Sequence, residues 1–252
     1  MPVSNAMILP NESLADRLAA VRTQIAAAAA RAGRKVDDIE LIAVSKTHPP
    51  ETLHEALEAG QSVFGENRVQ EARAKIPLLP ERARWHLIGH LQKNKIRHAL
   101  AAGFELYHGI DTLELAGDLD RIADEMGVFP RVLLEVNVAG EASKFGFSPE
   151  KLRAELEPLL ALPRLQIEGL MTIPPFAPEA EASRPSFVAL RELRGALQTE
   201  FRVPLPRLSM GMSGDFAVAV EEGATLVRVG TAIFGTRTGK AWKPAGDPAS
   251  FD

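Results

Sequence analysis

The chain has 252 residues, 46% of them hydrophobic and 25% charged, with a formal net charge of −4 and no cysteine. That length is long for an ordinary domain but normal for one α/β barrel, and the missing cysteines exclude disulfides, thiolate-bound zinc and thiol nucleophiles, in keeping with a cytoplasmic protein. The mildly acidic balance and the lack of a basic block with interleaved aromatics argue against a nucleic-acid partner, and with no apolar run of spanning length or secretory signal, no membrane partner is expected.

The first predicted helix spans residues 13–32, where Leu14, Leu18, Val21 and Ile25 recur at spacings of 4, 3 and 4 and Gly33 is a natural stop. Residues 39–44 form a buried strand. Pro50 opens the next helix as its first residue and Gly60 closes it. Val63-Phe64 is a second, short strand, followed by a helix running to about Ile76. Residues 85–88 are a third strand and 104–110 a fourth. Asp111 reads as a helix N-cap with Glu114 as its reciprocal partner, and Leu115, Leu119, Ile122 and Met126 mark the stripe of the helix it starts. Residues 131–138 form strand five, 149–161 a helix and 165–171 strand six. Phe187, Leu190, Leu193 and Leu197 mark a long helix. Residues 207–210, 216–222 and 225–229 are strand seven, a short helix and strand eight.

Eight strands parted by helical runs predict an α/β fold: a single (β/α)8 TIM barrel over residues 11–235, with an additional N-terminal helix. Residues 1–10 and 236–252, without periodicity, read as flexible termini. The alternative, a doubly wound sheet, would usually place a glycine-rich turn after its first strand. That strand ends Val44-Ser45-Lys46-Thr47, and no G-x-G-x-x-G occurs anywhere.

In such a barrel the chemistry lies at the C-terminal ends of the strands, and phosphate commonly docks after strands seven and eight. Lys46, at the end of strand one, points its amine into the mouth. A lysine there is either an ordinary surface or paired cation, or a nucleophile for a carbonyl. Ser213, after strand seven, with the backbone N–H groups that follow it, suits an anion or simply caps the next helix. Gly230 and Thr231, after strand eight, allow close approach of a phosphate and add a hydroxyl, or form a plain turn. Arg228 faces opposite to Val227 and Val229, so it is either a buried ion pair or a contact to a cofactor nitrogen. Asn67 bonds a ligand hydroxyl or caps a helix. His86 and His90 lie on a strand and its loop with no supporting carboxylate motif, so no metal is expected. Residues 235–240 miss the phosphate-loop motif because Phe234 and Ala241 hold the required positions.

Taken together, these segments closely resemble the pyridoxal phosphate homeostasis protein family. The matching stretches are Leu41-Ile42-Ala43-Val44-Ser45-Lys46-Thr47, Phe64-Gly65-Glu66-Asn67 with Val69-Gln70-Glu71, and Trp85-His86-Leu87-Ile88-Gly89 with Leu91-Gln92-Lys93-Asn94-Lys95. They continue with Gly169-Leu170-Met171, Leu208-Ser209-Met210-Gly211-Met212-Ser213 and residues 227–235, from Val227-Arg228 to Phe234-Gly235. The resemblance implies a barrel like the N-terminal domain of alanine racemase, with pyridoxal 5′-phosphate on Lys46 as a Schiff base. It implies phosphate contacts from Ser213, Gly230 and Thr231, Arg228 near the pyridine nitrogen, and Lys144 near the cofactor.

An arginine beside that nitrogen weakens the ring as an electron sink. A racemase also needs a second base, and the single tyrosine, Tyr107, falls within strand four, with no room after Gly235 for the β-rich domain of alanine racemase. The expected function is therefore non-catalytic: a cytoplasmic, monomeric carrier in pyridoxal phosphate homeostasis that delivers cofactor to apo enzymes. A single-domain racemase and a Schiff-base aldolase on a phosphorylated substrate stand as alternatives.

Overall fold

Ser13 starts the first helix by reciprocal capping: its hydroxyl accepts the Asp16 amide at 3.1 Å, and the Asp16 carboxylate accepts the Ser13 amide at 3.1 Å. The helix, α1 (Leu14–Arg31), buries Leu14, Leu18, Val21 and Ile25, the predicted stripe. The structure, a computed structural model, describes residues 12–141, 144–235 and Trp242. The termini read as flexible, 1–10 and 236–252, lie outside the described residues except for Trp242.

After α1 the chain alternates without exception. The order is β1 (Glu40–Val44), α2 (Pro50–Glu58), β2 (Val63–Glu66), α3 (Val69–Lys75), β3 (Arg84–His90), α4 (Ile96–Ala102), β4 (Leu106–Ile110) and α5 (Leu113–Met126). It continues β5 (Arg131–Glu135), α6 (Pro149–Leu160), β6 (Gln166–Met171), α7 (Arg184–Phe201), β7 (Arg207–Ser209), α8 (Phe216–Glu221), β8 (Leu226–Val229) and α9 (Thr231–Phe234). The strands are parallel and closed, β8 pairing back to β1 with Leu226 opposite Glu40 and Val229 opposite Ala43. The fold is the (β/α)8 barrel, not the doubly wound sheet.

Two helices escape the sequence pattern. α4 buries only Ile96, Ala99 and Leu100, and α9 is a single turn, so neither is long enough to repeat a stripe. One cap moves by a residue: Thr112, not Asp111, starts α5, its hydroxyl accepting the Leu115 amide at 3.1 Å. β4 runs to Ile110, so Asp111 is the residue that leaves the strand and is carried, buried, to the barrel's rim.

Alternation along the strands separates two cores. Ile42, Val44, Val63, Ile88, Leu106, Leu133, Met171 and Leu226 fill the barrel, while Ala43, Phe64, Tyr107, Leu134, Leu170, Val227 and Val229 meet the helices. At the N-terminal end the barrel is floored by six alternating charges in a closed ring. Arg84 bridges Glu40 at 2.9 Å and Glu105 at 2.6 Å, and Arg131 bridges Glu105 at 3.1 Å and Glu168 at 2.5 Å. Arg207 returns the circuit, from Glu168 at 2.8 Å to Glu40 at 3.4 Å. Each pair is partly exposed and weak alone, but every side chain serves two partners, which lowers the entropy lost per contact.

The ring predicts acid sensitivity. The hydrogen bond from Arg84, backed by the charges of Arg84 and Arg131, lowers the Glu105 carboxyl from 4.5 to about 2. A depressed carboxyl contributes stability that is complete above its unfolded value and lost as pH falls through its folded one. The melting temperature is expected to fall on acidification from pH 4.5 towards 2, and to fall less in Glu105→Gln. Scanning calorimetry that finds the same acid slope in both proteins would contradict the assignment.

Candidate functional site

Lys46 stands two residues beyond Val44, whose side chain points into the barrel, so alternation sends the lysine to the inner rim of the mouth. It is half-buried, and no ion pair or side-chain hydrogen bond engages it among the described residues. The next residue, Thr47, has φ +66°, an uncommon left-handed conformation for a β-branched residue. It is held from both sides: its N–H donates to the Glu71 carboxylate, and its carbonyl accepts the Trp242 N–H at 3.0 Å.

Behind this turn lies a buried cluster on the outer side of the strand wall. The Lys75 ammonium, fully buried, donates to the Ser45 carbonyl at 2.8 Å, Glu66 Oε1 at 2.8 Å and Glu71 Oε1 at 2.6 Å. The Ser45 hydroxyl donates to Glu66 Oε1 at 2.7 Å. Burial raises the Glu66 carboxyl to about 7, with the Lys75 charge opposing. The cluster grips the backbone on both sides of Lys46, at Ser45 and Thr47. The residue reading missed it. The available signal was the Glu71–Lys75 pair, four apart on one helix face.

The pairing of β8 with β1 brings the predicted anion site to the neighbouring strand. A Cβ on Gly230 would meet Val44 Cβ at 3.3 Å, so this residue lies hard against the strand that carries Lys46. The Ser213 hydroxyl accepts from the Gly230 amide at 3.2 Å and the Ala232 amide at 3.4 Å. Ser213 is therefore not the cap of α8, a position held by Asp215; it reaches across to the turn after β8. Thr231, exposed, is the first residue of α9. Ser213, Gly230 and Thr231 thus form one cradle of hydroxyls and amides.

Arg228 projects inward from β8 and is 4% exposed. It makes no ion pair among the described residues. Its Nη1 donates to the Ser209 hydroxyl and its Nη2 to the Thr172 carbonyl at 2.9 Å. Burial lowers its pKa to about 10 against the pull of Glu135 and Asp215. Across the mouth, burial and the charge of Asp111 raise the Glu135 carboxyl to about 7, with Arg228 opposing.

The remaining candidates divide. Asn67 follows β2 without capping α3, whose cap position is Arg68, so its amide is not spent on the helix. Lys144 ties two mouth loops together, bonding the Pro174 carbonyl at 3.0 Å and Glu141 at 2.6 Å. His90 pairs with Asp111 at 3.0 Å and stacks on Phe145 at the rim, whereas His86 is sealed in the barrel. Tyr107 points outward, bonding the Ala99 carbonyl at 3.0 Å, and burial pushes its pKa up.

Among the described residues, a lysine with no ion pair, a buried guanidinium bonded to a hydroxyl and a carbonyl, and a cradle of hydroxyls and amides thus share one mouth. That set fits a small ligand with a carbonyl, an acceptor nitrogen and an anionic group. The family described as "Alanine racemase, N-terminal domain" matches residues 17–238. A relative from Aquifex aeolicus, named pyridoxal phosphate homeostasis protein, is 47% identical over 223 residues, 88% of this chain and 97% of its own. PipY of Synechococcus elongatus, in a structure with PLP bound, is 43% identical with a TM-score of 0.78, over 88% of this chain and all (100%) of that one. Alanine racemase of Clostridium difficile is similar in fold alone, at 16% identity and a TM-score of 0.69, over 90% of this chain and 57% of that one.

The Lys75 cluster makes a prediction of its own. Lys75→Met would strand two buried carboxylates, and breaking a buried pair from one side costs about 3–5 kcal/mol. Urea unfolding should show a loss of that size. A loss below about 1 kcal/mol would mean that the ammonium is not what holds the turn.

Proposed function

This chain belongs to the alanine racemase N-terminal domain family, among the pyridoxal phosphate homeostasis proteins, and from that premise we propose that it binds pyridoxal 5′-phosphate and serves its homeostasis and delivery inside the cell. The observation that carries the reading is the meeting, at one barrel mouth, of half-buried Lys46, buried Arg228 and the Ser213 cradle. In this reading Lys46 holds the cofactor's aldehyde, and Ser213, Gly230 and Thr231 take its phosphate. Arg228 faces the ring nitrogen, and Asn67 meets a ring hydroxyl. The cofactor, when bound, supplies an electrophilic carbonyl on an electron-withdrawing ring.

The protein's own groups argue against turnover. A guanidinium only donates, so Arg228 gives the ring nitrogen a hydrogen bond without acting as a carboxylate that would keep it protonated. Racemisation also needs a base on each face. Tyr107 does not supply one, because its hydroxyl is turned out of the barrel towards α4. These points favour a carrier over a single-domain racemase, and the family relationship disfavours a Schiff-base aldolase.

Delivery implies partners, namely apo enzymes that use the same cofactor. The exposed side chains of Phe145, Ile173, Phe176 and Met212 all stand on the loops after β5, β6 and β7, around the exit from the site. We assign the protein to the cytoplasm and expect it to act as a monomer. No described helix is long and apolar enough to cross a membrane.

Two experiments test this function. Borohydride reduction of the loaded protein followed by peptide mapping should place the pyridoxyl group on Lys46. An adduct on Lys93 or Lys144 with none on Lys46 would refute the assignment. Mixing the loaded protein with an apo enzyme dependent on the cofactor should restore that enzyme's activity. No transfer, combined with robust turnover of an amino acid by the loaded protein alone, would favour the racemase.

A further inference from the structure

We propose that Ser209, His108 and His86 form a neutral hydrogen-bond relay through the barrel core that orients Arg228, which makes Ser209 and His108 positioning residues for the cofactor site. The proposal rests on the function proposed above and deepens it. Four strands contribute: Arg228 from β8, Ser209 from β7, His108 from β4 and His86 from β3. Arg228 is 4% exposed and the other three are wholly buried at 0%.

The proton positions follow from one end. A guanidinium donates and never accepts, so the Ser209 oxygen must be the acceptor of the bond from Arg228 Nη1. The serine's own hydrogen then needs another acceptor, and His108 Nδ1 lies 2.8 Å away. His108 must therefore keep Nδ1 bare and carry its proton on Nε2. That Nε2 is 3.1 Å from His86 Nδ1, so His86 is also the Nε2–H form. His86 Nε2 has no hydrogen-bond partner among the described residues and ends the chain.

Both imidazoles are held neutral from two directions. Burial is the largest cause, lowering His86 to about 3 and taking His108 well below the ordinary 6.5. Charge adds to it: Arg228 acts on His108 from the mouth, and Arg207 acts on both histidines from the floor. His86 also feels Arg84 and Arg131, with Glu105 pulling the other way. A protonated His108 would turn an N–H towards an oxygen already receiving one from Arg228, leaving the serine's hydrogen unplaced.

The guanidinium is thereby pinned at two points. Nη2 is held by the Thr172 carbonyl, and Thr172 is itself fixed by its hydroxyl to the Val136 carbonyl at 2.7 Å and by its N–H to the Ser209 carbonyl at 3.1 Å. Nη1 is held by an oxygen whose hydrogen is committed elsewhere. The hydrogens left over on Arg228 have one orientation, set by residues that need not touch the ligand.

Nitrogen NMR of the histidine-labelled apo protein should find His108 and His86 neutral, with the proton on Nε2, from about pH 5 to 8, where an ordinary histidine titrates. A proton on His108 Nδ1, or titration in that range, overturns the relay with no cofactor present. Spectrophotometric titration with pyridoxal 5′-phosphate tests the role. Ser209→Ala and His108→Leu should weaken binding by about tenfold or more, the usual size for a lost bond to a charged group. They should also alter the absorbance spectrum of the bound chromophore. His108→Asn, which offers an acceptor oxygen near Nδ1, and Ser209→Thr should recover both. Wild-type affinity and spectrum in Ser209→Ala and His108→Leu, or no recovery in the conservative pair, overturns the positioning role. A wild-type protein that binds no cofactor defeats the proposed function instead, and the tautomers can still be read.

Discussion

The pairing of β8 with β1 is the constraint on which the mouth depends. Neighbouring strands lie about 4.8 Å apart, so once Val229 sits opposite Ala43 the residues beyond them have little freedom. Gly230 falls against Val44, where a Cβ would come within 3.3 Å, and the chain turns at once into α9. The same register sets Arg228 opposite Ile42 with its side chain inside the barrel. Closing the sheet therefore brings the Ser213–Gly230 turn and Lys46, far apart in sequence, to adjacent strands.

Three groups of charges meet burial in different ways. The floor ring satisfies itself, every acid and base having two partners. The Lys75 cluster satisfies its ammonium inside the wall, with two carboxylates and a carbonyl. Among the described residues Arg228 has only neutral acceptors, and a buried guanidinium in that state retains capacity for an anion or a lone pair. Charges paired with opposite charges stabilise the scaffold. The charge that is not fully spent lies where the ligand is proposed to bind.

One strained residue lies beside the lysine. Thr47 adopts a conformation that glycine would accept more readily, and it does so beside Lys46. The Glu71 carboxylate, itself anchored by Lys75, and the Trp242 amide hold it there. The lysine's direction is thus set by a cluster on the other face of the strand.

Much of this was legible in the sequence. Alternation of buried strands with striped helices is a local property, written in each segment's own side chains, and eight such units define the barrel. The rule that barrels work at their C-terminal ends then led to Lys46, Asn67, Ser213, Arg228, Gly230 and Thr231. What the residues alone left open was each side chain's partner. Whether Ser213 capped α8 or crossed to Gly230, whether Arg228 found a carboxylate or a hydroxyl, and whether Asp111 or Thr112 began α5 depended on neighbours from other strands. α4 and α9 were too short for periodicity to register. The relay from Arg228 to His86 and the Lys75 cluster join residues that no spacing relates. Their hydrogen bonds form only once closure brings the strands together, so periodicity along the chain decided the elements, and contacts between strands decided the chemistry.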